Sequence, residues 1–173
     1  AHFLAEQGYW VFVPRYRGTW ESSGAFLNEE PTKDLLDVMN ALPQGFRDAW
    51  SGEEYRVEPS EVILFAGSFG GPAGMLLSKD PRVTAVIGIA AVVDWQAPSP
   101  AEPLDWLYGF VKDAFGEGYR VSRSSWNKLA RGHFYNPAAH PERIDPKKIM
   151  LIHAQDDDSV TYPPVASFAR APD

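Results

Sequence analysis

The chain has no cysteine, which excludes a disulfide framework and any thiolate metal site. It is also short of positive charge, with 16 Lys and Arg against 23 Asp and Glu and a formal net charge of −7. A nucleic-acid partner, whose phosphates need a basic face, is therefore not expected. Long apolar runs are missing too. The longest, Val83 to Val93, reaches about half of a bilayer span, so no membrane partner is expected. No signal peptide is recognisable, because His2, Glu6 and Gln7 interrupt any apolar core at the start. With the lack of cysteine, this makes a cytoplasmic protein the expectation.

What is present describes a folded domain. The 173 residues are 45% hydrophobic and 13% aromatic, enough for one buried core and too few residues for two comfortable ones. A single domain over 1–173 is expected. The opening, AHFLAEQGYW, reads as the end of an amphipathic helix already under way, so an N-terminal truncation is expected as well.

Four continuous apolar runs read as strands buried on both faces: Tyr9–Val13, Val62–Ala66, Val83–Ala91 and Lys148–His153. Between them lie helical patterns. Leu35, Leu36, Val38, Met39 and Leu42 recur at spacings of three and four, with Pro31 at the start and Pro43 at the stop. A short helix passes through Met75 to Leu77, and Thr161–Arg170 suits another. Residues 44–60 read as a polar, irregular connection. Residues 96–145 read as a cap-like insertion with one helix, Leu104–Phe115. Alternating strands and helices of this kind predict an α/β fold, a mostly parallel sheet with helices on both faces. Functional groups then gather beyond the carboxyl ends of the strands.

One such end carries Ala66-Gly67-Ser68-Phe69-Gly70-Gly71, between a buried strand and a helix. That is the context of a nucleophile elbow, in which a sharp, strained turn lifts a serine hydroxyl above the sheet. Small residues two before and two after the serine, here Ala66 and Gly70, keep strand and helix from colliding. The following helix aims its N-terminus at the site, so the Phe69 N–H is the expected oxyanion donor. An incidental serine in a Gly-rich turn is the plainer alternative. A phosphate cradle would require the lysine of GxxxxGK[ST], which is absent.

The strand ending at His153 runs into Asp156-Asp157-Asp158. A carboxylate there can orient an imidazole and stabilise its charged form. Three adjacent aspartates are otherwise a solvated loop or a weak cation site, and the calcium-loop pattern is missing, so neither metal nor cofactor is expected. The base is the difficulty. His2, His133, His140 and His153 all precede that run, whereas this architecture orders its triad Ser, acid, His. His153 suits a packed position at a strand end, and His133 and His140 suit structural roles.

Three segments together carry a family resemblance. Gly8-Tyr9-Trp10-Val11-Phe12-Val13-Pro14 with Tyr16-Arg17-Gly18-Thr19, then Gly67-Ser68-Phe69-Gly70-Gly71, then Ile152-His153-Ala154-Gln155-Asp156-Asp157-Asp158-Ser159-Val160 resemble, in order, motifs of the prolyl oligopeptidase family of serine peptidases. The resemblance spans about residues 1–165 and implies the α/β-hydrolase fold. It implies Ser68 as nucleophile and Asp157 as the acid, with Asp156 and Asp158 flanking it. It also implies a histidine beyond Asp173 and a second oxyanion donor upstream of Ala1, so truncation at both ends is expected and the chain alone should be a poor catalyst. Arg15 and Ala154 depart from the family pattern. The stretch Arg17 to Phe26 resembles that of cocaine esterases and X-prolyl dipeptidyl peptidases, so an ester or a peptide substrate remains open. Trp106, Tyr108, Phe110, Trp126 and Phe134 are candidates to line a pocket under the insertion, or simply to pack it. The alternative to an enzyme is a non-catalytic binding domain that keeps the hydrolase-like fold.

Overall fold

The computed structural model describes residues 1–170. Its centre is a three-stranded parallel sheet formed by β3 (Val62–Gly67), β4 (Val83–Ile89) and β5 (Ile149–Ile152), in that order. Leu64 pairs with Val86 and Ala66 with Gly88, while Gly88 in turn pairs with Leu151. These residues share one face. Against it lie α2 (Thr32–Ala41) and α3 (Gly71–Leu76), which close a core of Met39, Ala66, Leu77, Val83 and Val86. A larger core continues beyond the strand ends, through Phe26, Met75, Trp95, Trp126, Leu129 and Tyr135.

The expectation of helices on both faces is not met among the described residues. Alternate positions on the second face, Ile63, Phe65, Ile89, Met150 and Ile152, are all exposed. The strands are apolar on both sides, as a doubly covered sheet requires, but the described helices cover one side. Helix α1 (His2–Glu6) does not supply the second cover, since none of its residues is buried.

The strand expected at Tyr9–Val13 is also corrected. No ladder forms there, and Tyr9, Trp10 and Val13 are exposed. Instead the segment sets Trp10 and Phe12 side by side, 6.2 Å between ring centroids, against Phe46 and Tyr55. Those two belong to a small antiparallel hairpin, β1 (Phe46–Arg47) and β2 (Glu54–Tyr55), inside the stretch expected to be irregular. Asp48 turns it, its side chain accepting from the Trp50 N–H. Aromatic pairing across the hairpin and onto the 9–13 segment replaces the backbone pairing of a sheet strand.

The insertion between β4 and β5 contains α4 (Leu104–Phe115) and the short α5 (Arg123–Trp126). It is clasped to the 16–28 loop by backbone hydrogen bonds, from Phe26 N–H to the Arg120 carbonyl and from Arg120 N–H to the Gly18 carbonyl, both 2.8 Å. A Cβ on Gly18 would fall 2.1 Å from the Phe26 nitrogen, so the clasp needs glycine there. Arg17 is fixed alongside by the buried Asp34, which takes both its backbone N–H and its guanidinium. That pairing, joined by Asp37, holds the Arg17 guanidinium above its ordinary pKa.

Helix α3 approaches the sheet more closely than any side chain would permit. A Cβ on Gly71 would sit 2.5 Å from that of Ala91, and one on Gly74 2.6 Å from that of Ala66. The tight contact foreseen at Gly70 thus falls one and four residues later. Gly70 itself faces only the Tyr16 hydroxyl, at 3.3 Å. Gly71→Ala is expected to cost about 1–3 kcal/mol through overpacking, read as a fall in the urea midpoint at unchanged slope.

Candidate active site

The serine turn begins where β3 ends. Residues Ser68–Gly70 form one 3-10 turn that leads directly into α3. Ser68 is exposed and has φ +46°, a left-handed conformation that costs an L-residue about 1–2 kcal/mol. Its carbonyl accepts from the Val92 N–H at 3.1 Å, which ties the turn to the chain beyond β4. Phe69 occupies the second position of the turn, where a helix supplies no acceptor for the N–H. Its amide is therefore of the kind that can serve an incoming anion.

The turn is anchored from below. Tyr135, fully buried, donates its hydroxyl to the Phe69 carbonyl at 2.8 Å. The Phe69 ring meets Phe26, Trp95 and Tyr135 at centroid separations of 5.2–5.4 Å. Burial pushes the Tyr135 hydroxyl well above its ordinary pKa and raises that of Tyr16 as well, so both stay protonated donors. Sequence reasoning missed Tyr16, Trp95 and Tyr135, which come from three separate segments; the only hint was an aromatic residue inside the turn itself. Tyr135→Phe leaves the Phe69 carbonyl buried without its donor. It is expected to lower stability by about 1–2 kcal/mol, which calorimetry would read as a fall in Tm of roughly 2–4 °C per kcal/mol.

Ser68 opens on a cavity of about 410 Å³. Its walls are largely apolar, with Phe26, Phe69, Val93 and Trp95 from the core and Leu107, Phe110, Val111 and Trp126 from the insertion. Of the aromatic candidates in the insertion, Phe110 and Trp126 line it. Trp106 stacks on the outer side of Phe110, with centroids 5.4 Å apart, and Tyr108 packs edge-on to Trp126. Phe134 lies beneath the Lys128 ammonium. Packing is the role of those three.

The loop after β5 reaches the same cavity through Ser159, Val160 and Thr161. Asp157 itself stands just behind that wall. Its Oδ1 accepts from the Ser159 and Val160 N–H groups at 3.0 and 2.9 Å, and the side chain is 18% exposed. Asp156 and Asp158 are exposed. The insertion holds the loop from outside: the Ser99 hydroxyl donates to the Asp158 carbonyl, and the Ser159 hydroxyl donates to Glu102 Oε1 at 2.9 Å.

No histidine lines the cavity. His153 is the nearest to the acid, its Nε2 3.6 Å from Asp157 Oδ2. That nitrogen lies 2.6 Å from the Val160 carbonyl; a carbonyl only accepts, so the proton sits on Nε2. The opposite nitrogen, Nδ1, is buried with no partner. His153 is thus a packed, hydrogen-bonded residue with no free face for a base. His133 and His140 pack on each other at 6.2 Å, His140 bridging Glu142 and the His133 carbonyl. His2 pairs with Glu6 at the surface. Among the described residues no group of three His, Asp or Glu is arranged to hold a metal ion, and no helix is long and apolar enough to cross a membrane.

A parallel α/β sheet that ends in a strained serine, with a helix following and an apolar cavity above, defines the architecture of the α/β hydrolases. The family model of the prolyl oligopeptidase family matches residues 1–171, and the chain belongs to that family of serine peptidases. No curated protein gave a match.

Proposed function

We propose that Ser68 is the nucleophile of a serine hydrolase that cleaves a peptide or ester bond through an acyl-enzyme. The observation that carries this is the left-handed Ser68, exposed on a strand-to-helix turn at the rim of an apolar cavity. Strain of this kind is retained where the surrounding structure enforces it and function uses it. In the proposed reaction Ser68 Oγ attacks the substrate carbonyl, and the Phe69 N–H holds the developing oxyanion. Asp157, its Oδ1 fixed by two backbone amides, turns Oδ2 to an imidazole that takes the serine proton. None of the four histidines described is placed to be that imidazole: His153 is hydrogen-bonded to the Val160 carbonyl, and His2, His133 and His140 are not among the residues lining the cavity. The segment 96–145 acts as a cap whose inner wall selects the substrate.

The lack of a cavity-lining histidine favours one second reading, a binding domain that retains the hydrolase fold without its chemistry. A panel of p-nitrophenyl esters and proline-containing peptide substrates tests both on the intact protein. Turnover that Ser68→Ala abolishes supports the hydrolase, and the faster substrate class separates peptidase from esterase. Saturable ligand binding with no turnover supports the binding domain.

A further inference from the structure

The cavity beside Ser68 holds two carboxylates and no cation. Asp94 and Glu102 belong to its lining, and among the lining residues there is no Lys, Arg or His. Asp94 is oriented by the Asn136 amide and the Gln96 N–H, each 2.9 Å from Oδ1. Glu102 sits at the start of α4's approach and accepts from Ser159 through Oε1 alone. Among the described residues neither acid has a Lys, Arg or His nitrogen within 4.0 Å. Several partly buried acids elsewhere do have cations: Asp34 with Arg17, Glu30 with Arg143 and Asp80 with Arg82. The cavity walls are otherwise apolar, and low-dielectric walls concentrate the field of the charges that remain.

We infer that Glu102 is a specificity residue that recognises a protonated amine on the substrate while the apolar part of the same substrate fills the cavity. Asp94 deepens the negative potential behind it. The position suits this use. Glu102 lies on the insertion and touches Ser159 on the Asp157 loop, so a ligand bridging them would span the acid side of the site. A neutral apolar substrate would satisfy the walls and leave the carboxylate unpaired; an amine satisfies both. The inference deepens the hydrolase reading but its binding claim does not require catalysis.

Isothermal titration of the intact protein with 3-phenylpropylamine and with 3-phenylpropanol, which differ only in charge, tests it. The amine is expected to bind about 10-fold tighter, a preference that shrinks toward unity in 1 M salt. Glu102→Gln keeps the acceptor for Ser159 and is expected to bring the two ligands within about 2-fold of each other. L-phenylalanine amide and N-acetyl-lysine amide then distinguish an amino terminus from a lysine side chain as the source of the amine. Equal binding of amine and alcohol by the unaltered protein overturns the inference, as does a preference that survives in Glu102→Gln. Phosphonylation of Ser68 is followed in parallel. Phosphonylation without an amine preference sinks this inference and leaves the hydrolase; an amine preference in a protein that never phosphonylates does the reverse.

Discussion

Replacing Ser68 by glycine is expected to stabilise the protein and silence it at the same time. Glycine occupies φ +46° without the Cβ penalty of about 1–2 kcal/mol, and it loses about 0.5–1 kcal/mol of that through the greater freedom of its unfolded chain. A net gain of roughly 0.5–1 kcal/mol remains, with Tm raised by about 2–4 °C per kcal/mol. Ser68→Ala keeps the strained backbone and should leave Tm within about 1 °C, because the site is exposed. Both variants lose turnover by on the order of 10⁴-fold or more. The pairing of a stability gain with a loss of function marks a residue held in strain for chemistry. A glycine variant less stable than the alanine one would remove the strain argument.

Asp157→Asn is the second large effect. An asparagine Oδ1 can accept the same Ser159 and Val160 amides, so the loop should keep its shape and the protein its Tm. Only the charge on the far oxygen is lost. If that charge orients and stabilises an imidazolium, kcat falls by on the order of 10⁴-fold. If Asp157 merely shapes the loop, kcat stays within about threefold. Asp156→Asn and Asp158→Asn, at exposed positions, are expected to stay within that threefold margin. They serve as controls for nonspecific charge effects along the run.

The parts legible from sequence were those governed by short-range patterns. Apolar runs and helical spacing located β3, β4, β5, α2, α4 and α6 (Tyr162–Ala169) to within a few residues. Gly-Ser-Phe-Gly-Gly between strand and helix marked the turn now seen at Ser68. What escaped was set by long-range partners. The Tyr9–Val13 run reads as a strand on composition, but a strand needs a neighbour, and here Trp10 and Phe12 find Phe46 and Tyr55 instead. The close approach of α3 depends on Ala66, on β3, and Ala91, just beyond β4, which are far apart in sequence, so Gly70 was singled out where Gly71 and Gly74 make the contact. Tyr135 reaches the Phe69 carbonyl across 66 positions of sequence, a separation that no local pattern encodes. The hydrogen bonds from Ser99 and Ser159 that join the insertion to the Asp157 loop were hidden for the same reason.

Two strands of one sheet deliver Ser68 and the Asp157 loop to a common cavity, and the account rests on Ser68 being reactive there. Treating the intact protein with a fluorophosphonate and mapping the adduct by peptide mass spectrometry tests this most directly. A single phosphonyl group on Ser68, formed far more slowly in Asp157→Asn, is the predicted result. A folded intact protein that stays unmodified at Ser68, or is modified only at some other hydroxyl, contradicts it.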